Sequence, residues 1–353
     1  MPNAMLHKKA RLFRPIEQPD MVDVQLANIA LKDAVFSGVH FTEANFTGAT
    51  LEKVTFLNCT FDLAVFNQAT LEICTFQNCR LLQSNWTDAN LSKCTFSRCD
   101  LTNALMNQTQ IKACTFSECH CPEIQFISAR IQESAWFKTE LLQSTFKQCV
   151  MNNFLMGETD FTHINLLNND ISQGLMLKCQ FNQKDFQGTQ WRYCTFSEST
   201  FNECNFATSN LEGLNFSSAT LNQCVFDQAR LTQSLFIKAK ITDSSFVNCT
   251  MPECNFSEAV ISQCHWNNSK AEKGQFQKTQ FNECQLQQVQ FSMADFSHAV
   301  FDHSNVTQCQ FEFANWHETT RKDGKWKNNN QNMLRKTDPE RQKAEQAINA
   351  QAA

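Results

Sequence analysis

Charge, glycine and tyrosine are all scarce in this sequence. Lys, Arg, Asp and Glu make up 18% of its 353 residues, which also include 8 glycines and one tyrosine. Soluble globular chains usually carry about 25% charge. The low charge excludes a charge-rich disordered chain and a salt-bridged coiled coil, and the low glycine excludes collagen. No apolar run approaches the roughly 18 residues a membrane helix needs, so no membrane contact is expected. The start, MPNAMLHKKARLFRPIEQPD, has charges but no apolar stretch of the secretory kind. A cytoplasmic location with reduced thiols is therefore expected. No GxSxG, HExxH, P-loop or GxGxxG pattern occurs, so neither catalytic residues nor a cofactor is expected.

What is present in excess is 18 cysteines and 32 phenylalanines. Their positions follow one rule. From Leu26 to Trp316 every fifth residue is large and apolar, 28 of these positions being Phe. We call this position i. Only Cys121 and Ala271 depart from it, and no insertion shifts the register. Two residues earlier, at i−2, the residue is usually small, and 17 of the 18 cysteines sit there. The other three positions are mostly Thr, Asn, Gln, Ser, Glu, Asp and Lys.

A period of five matches neither a helix nor a strand. It requires a chain that points inward twice and outward three times, then turns. Four such units close a square coil of about 20 residues, with successive coils stacked at β spacing, roughly 4.8 Å. A second period supports this: Cys59, Cys79, Cys99 and Cys119 form one column, and Cys74, Cys94 and Cys114 another.

The register resembles the pentapeptide repeat, A(D/N)Lxx, in its Phe/Cys-rich form, over residues 24–318. The resemblance implies an all-β solenoid, a right-handed quadrilateral β-helix. At nearly 15 coils it would be on the order of 70 Å long and free of loops. Residues 1–23, with Pro15 and Pro19, are expected to form an N-terminal cap or arm. Residues 319–353 leave the apolar register and form a polar tail. Within it Asp338-Pro339-Glu340 marks a helix start, and Met333 and Leu334 are candidates to dock that helix.

Metal chemistry finds little support. Cys114, Cys119, His120 and Cys121 are close in sequence, with Cys99 beneath Cys119, but the i−2 thiols point into a packed core while His120 points out. Free cysteine serves there as a small hydrophobe, so no metal is expected. His298 and His303, near Asp295 and Asp302, fall on outward positions of a convex surface, where nothing excludes water.

The surface deviates from its polar norm at residues 121–177. Bulky side chains take the small position at Ile124, Phe154 and Ile164, and apolar ones point outward at Ile127, Phe137, Leu142, Leu155, Leu167, Leu175 and Leu177. Period-20 arithmetic stacks Ala135, Leu155 and Leu175 in one column and Phe137, Gly157 and Leu177 in the next. These six residues form a candidate partner-binding patch. The alternative is an irregular coil with Phe137 folded back over it.

Residues 26–316 hold 18 basic and 27 acidic side chains, so direct binding of nucleic acid is not expected. The resemblance implies a non-enzymatic bacterial scaffold for protein–protein interaction, similar to pentapeptide-repeat proteins encoded with type VI secretion systems. Its alternative is a DNA-mimicking binder of DNA gyrase, as in quinolone-resistance proteins of this repeat. The partner is a protein in either case, and the chain is expected to be a monomer or an end-to-end homodimer.

Overall fold

The computed structural model describes residues 16–17 and 20–352. Most of the expected N-terminal arm, including Pro15 and Pro19, lies outside them. The chain forms a parallel β-solenoid of about 15 turns with one short C-terminal helix. By contacts it divides into two units, Met1–Gln180 and Phe181–Ala353.

In residues 30–120 each coil has two sides built as short strands and two joined by single bridges; over 121–180 a third side becomes a strand, and over 200–275 one side is a strand and three are bridges. In the first unit Ala30–Lys32 pairs in parallel with Thr50–Glu52, which pairs with Thr70–Glu72. On the next side Val35–Ser37 pairs with Thr55–Leu57, and so on through Leu175–Leu177. In the second unit Thr200–Asn202 pairs with Thr220–Asn222 and the stack runs on to Thr320–Lys322. Every partner is 20 residues away, because the coil has four five-residue sides. The ladder also extends past the expected span of 24–318. Ile16 bridges Phe36, and Asn315 bridges Arg335. Backbone pairing needs only the turn geometry, so one further coil forms where the apolar register has already lapsed.

That geometry rests on the residue at i+2, which is left-handed at nearly all described corners: Asn28 has φ 58°, Lys53 53° and Gln68 58°. A left-handed L-residue costs roughly 1–2 kcal/mol, yet glycine fills only a few of these corners. The turn recovers the cost through hydrogen bonds. The Glu43 N–H donates to Asp62 O in the next coil at 2.8 Å, and the Ala44 N–H closes the corner on Phe41 O at 3.0 Å. Where two sides are short bridges, the corner is a tight turn of the type II kind, which demands φ > 0 at its third residue.

The two inward positions fill the interior. Stacked rings run up the columns, as Phe76, Phe96 and Phe116 do at 4.8 Å between centroids and 2–3° between planes. Across a corner the rings meet edge to face, as Phe56 and Phe61 do at 5.0 Å and 89°. At i−2 the thiols also serve the backbone. The Cys79 Sγ–H lies 3.4 Å from both Phe56 O and Gln77 O. All 18 cysteines are buried and free. Burial pushes the Cys149 and Cys309 thiols up to about 11. Stacked rungs keep Cβ atoms near the ~4.8 Å strand spacing, longer than the ~3.8 Å of a disulfide. The columns therefore pack without cross-linking.

Oversized residues are matched by small ones nearby. Phe154 is 2% exposed at a small position because Gly174 stands one coil on, where a Cβ would lie 2.5 Å from Phe154 Cζ. Phe276 similarly fills the space beside Ala271 and Gly274, where a Cβ would meet Phe276 Cε2 at 2.5 Å.

The helix α1 spans Pro339–Ala352. Asp338 Oδ1 accepts from the Glu340 and Arg341 N–H groups at 2.9 and 3.2 Å, which makes it the N-cap before Pro339 at the first position. Met333 does not dock the helix and points to solvent. Polar contacts hold it instead, from His317, His298 and Glu318. Among the described residues no helix is long and apolar enough to cross a membrane.

Candidate interaction surface

The expected patch assembles in the first unit. Ala135, Leu155 and Leu175 stand opposite one another on successive strands, as do Phe137, Gly157 and Leu177. Parallel pairing in register puts all six on one side of the coil stack, pointing away from Trp136, Met156 and Met176, which are buried. Phe137 is 43% and Leu175 45% exposed. Ala135, Leu155 and Leu177 are half-buried and Gly157 is buried.

Part of this burial is internal. A Cβ on Gly157 would sit 3.4 Å from Phe137 Cδ2, so the Phe137 ring leans over the glycine. The missing side chain gives the ring a floor. Lys138 Nζ lies over the ring, 5.7 Å from its centroid, a distance suited to a cation–π contact. Phe137 thus leans back over its own coil stack, and Phe137 and Leu175 stay exposed beside it.

The neighbouring deviations do not all join it. Ile124, Phe154 and Ile164 are buried. Leu142 and Leu167 are exposed, but they belong to the next two sides of the coil. Beside Leu142 lies a cleft of about 400 Å³ lined by Lys138, Glu140, Glu158, Asp160 and His163 among others. Its carboxylates have local partners: Glu140 is 2.7 Å from His120, and Asp160 accepts from the Thr162 N–H at 2.8 Å. The sequence cluster of Cys114, Cys119, His120 and Cys121 is likewise split, with the thiols buried and His120 exposed on Glu140.

In the second unit the histidines near Asp295 and Asp302 go to separate tasks. His303 Nδ1 lies 2.7 Å from Asp302, whereas Asp295 accepts from Ser297 and Asn315. His298 and His317 each place Nε2 3.1 Å from Glu345 Oε2. This trio has metal-like donors within 4.8 Å of one another. However, His317 Nδ1 accepts the Asp338 N–H at 3.1 Å. A neutral imidazole with an accepting Nδ1 carries its proton on Nε2, so Nε2 donates to Glu345. A metal at Nε2 would need a proton on Nδ1, facing another donor. The trio is a hydrogen-bonded clip for α1.

One exposed feature escapes the five-residue reading. Met293, Phe313 and Met333 occupy the left-handed corner of three successive coils, with φ of 61°, 58° and 51°. All three are exposed, Phe313 at 46%. The signal for it was a period-20 comparison of position i+2, which is mostly polar.

Comparison with known proteins follows the same lines. A profile described as pentapeptide repeat region matches residues 17–86 and 199–276, and one for pentapeptide repeats (8 copies) matches 74–108 and 279–315. No relative of curated function matches the sequence. The fold is similar to HetL, a pentapeptide repeat protein involved in heterocyst differentiation regulation from the cyanobacterium Nostoc. The identity is 13% over 73% of this chain and 91% of HetL, with a TM-score of 0.26. It is also similar to full-length QnrB1, a plasmid-mediated fluoroquinolone resistance protein. Here the identity is 16% over 58% of this chain and 99% of QnrB1, with a TM-score of 0.25. With the repeat matched over more than half of the sequence and its square coil formed, the chain belongs to the pentapeptide repeat family.

Proposed function

We propose that this protein is a non-enzymatic scaffold of the bacterial cytoplasm that binds a protein partner through the side bearing Ala135, Phe137, Leu155, Gly157, Leu175 and Leu177. One observation carries the reading: an apolar face spanning three paired strands on a surface that is mostly polar. Contiguous exposed apolar area of this sort marks interaction sites. A role beside type VI secretion is the setting that the repeat style suggests.

The alternative partner, DNA gyrase, would call for an unbroken acidic stripe that imitates a phosphate backbone. Acids on one coil pair with bases on the next instead. Lys32 meets Glu52 at 2.6 Å, Arg98 meets Glu118 at 3.3 Å, and Arg230 meets Glu212 at 3.3 Å. This pairing favours the scaffold over the mimic.

The double substitution Phe137→Ser and Leu177→Ser tests the patch. It should abolish capture of the partner from a bacterial lysate while circular dichroism stays unchanged, and the wild-type chain should leave gyrase supercoiling unaffected. Capture undiminished in the folded double variant would remove the patch from the mechanism. Inhibited or protected supercoiling would shift the reading to the mimic.

A further inference from the structure

Charge in the second unit is concentrated at one place. Residues 321–336 contain Arg321, Lys322, Lys325, Lys327, Arg335 and Lys336 against a single acid, Asp323. The whole chain, by contrast, is acidic, with a net charge of −5. All six cations are exposed. Among the described residues none of them forms an ion pair, and Asp323 lies 3.6 Å from His303.

These residues form the last coil, and its backbone is open on one edge. Among the described residues Thr320–Lys322 pairs only with Val300–Asp302, and Trp326–Lys327 only with Asn305–Thr307. In the coil before it, the corner N–H groups reach forward: His303 N donates to Lys322 O at 2.8 Å and Gln308 N to Lys327 O at 3.0 Å. The equivalent N–H groups of Asp323, Asn328 and Met333 have no acceptor among the described residues. Helix α1 does not cover this edge. Its contacts run from His317 and Glu318 back to His298, and Ile348 lines a cleft with Gln277 and Lys278.

The inward side of the last coil is equally unusual. Arg321 stands in the column of Phe281 and Phe301. Its guanidinium carbon lies 5.7 Å from the Trp316 ring centroid and 4.9 Å from that of Trp326. Both indole N–H groups are buried without an acceptor, Trp316 being 8% exposed overall.

We propose that this coil binds an acidic, extended segment of a partner protein by strand addition. Unpaired edge N–H groups bind main-chain carbonyls of an added strand, and the six cations select for carboxylates beside it. Edge strands are commonly blunted by a lysine or a proline, but six unpaired cations in one coil exceed that need and set up a field. The same field repels an identical end, which disfavours two copies meeting here. Nucleic acid would satisfy the charges but not the edge, because it supplies no strand.

The test uses the full chain and a synthetic ten-residue peptide alternating glutamate with valine or threonine, beside its lysine counterpart. The acidic peptide should bind, weaken roughly tenfold or more between about 50 and 200 mM salt, and slow amide exchange over residues 320–328. The triple variant Lys322→Glu, Lys325→Glu, Lys327→Glu, exposed and so expected to fold, should lose at least about tenfold in affinity. The lysine peptide should not bind. No binding of the acidic peptide at about millimolar concentration, or binding without protection of 320–328, overturns the proposal. So does a single-stranded oligonucleotide that displaces the peptide, or self-association of the wild type that the triple variant abolishes.

Discussion

Nearly every corner among the described residues is left-handed, and nearly all of those residues carry a side chain. The pattern is tolerable because corner N–H groups before the last coil bond forward to the next one and the interior positions are filled. A glycine inside the coil therefore has a different meaning from a glycine at a corner. Gly174 is not left-handed; it is the vacancy into which Phe154 projects. A methyl there would lie 2.5 and 2.7 Å from Phe154 Cζ and Cε1. Overpacking of this kind costs about 1–3 kcal/mol. Gly174→Ala should lower stability by that amount in a denaturant titration, and adding Phe154→Leu should recover most of it. Equal losses in both backgrounds would show that the two sites are not coupled through this contact. The pair was only half visible in sequence. Phe154 stood out as too large for its position, but its partner lies 20 residues away and becomes a partner only once coils stack.

At the scale of elements, α1 departs from the way surface helices usually dock. It shows no apolar stripe, and Ile348 is exposed. Its start was legible in Asp338-Pro339-Glu340, since capping is local chemistry. Its seat was not, because that depends on His298 and His317 from two successive coils converging on Glu345. The Arg341 guanidinium, 2.7 Å away, and then His317 hold the Glu345 carboxyl down at about 2. A carboxylate with a depressed folded-state pKa stabilises above its unfolded value and loses that contribution on acidification. The clip should thus be complete above pH 4.5 and dissolve as the pH falls through about 2. Amide exchange within α1 should accelerate over that window in the wild type and be faster at every pH in Glu345→Gln. Protection of α1 that persists below pH 2 in the wild type would mean that other contacts carry the helix.

For the molecule as a whole, the repeat made the interior legible and left the ends obscure. Period five assigns inside and outside from Leu26 onward because only two of five residues can point inward. It also locates the patch, since period 20 places Phe137, Gly157 and Leu177 in one column. It could not show that Phe137 leans on Gly157, which is a matter of ring rotation. Nor could it show the final coil, whose inward residues are Arg321, Trp326 and Gln331 rather than a regular apolar series. Coils of a solenoid are held chiefly by their neighbours, so a terminal coil must present a face that further copies of the same chain do not extend. Arg321 meets this requirement by placing a cation where Phe281 and Phe301 stand in earlier coils, over the faces of Trp316 and Trp326. Replacing it by leucine would remove the charge from this exposed position and continue the apolar column to the edge. Arg321→Leu should keep the β-solenoid spectrum yet self-associate in a concentration-dependent way, read by sedimentation velocity. A variant that sediments like the wild type at every concentration would show that the remaining lysines alone keep this edge clear, leaving Arg321 a packing role on the two tryptophans.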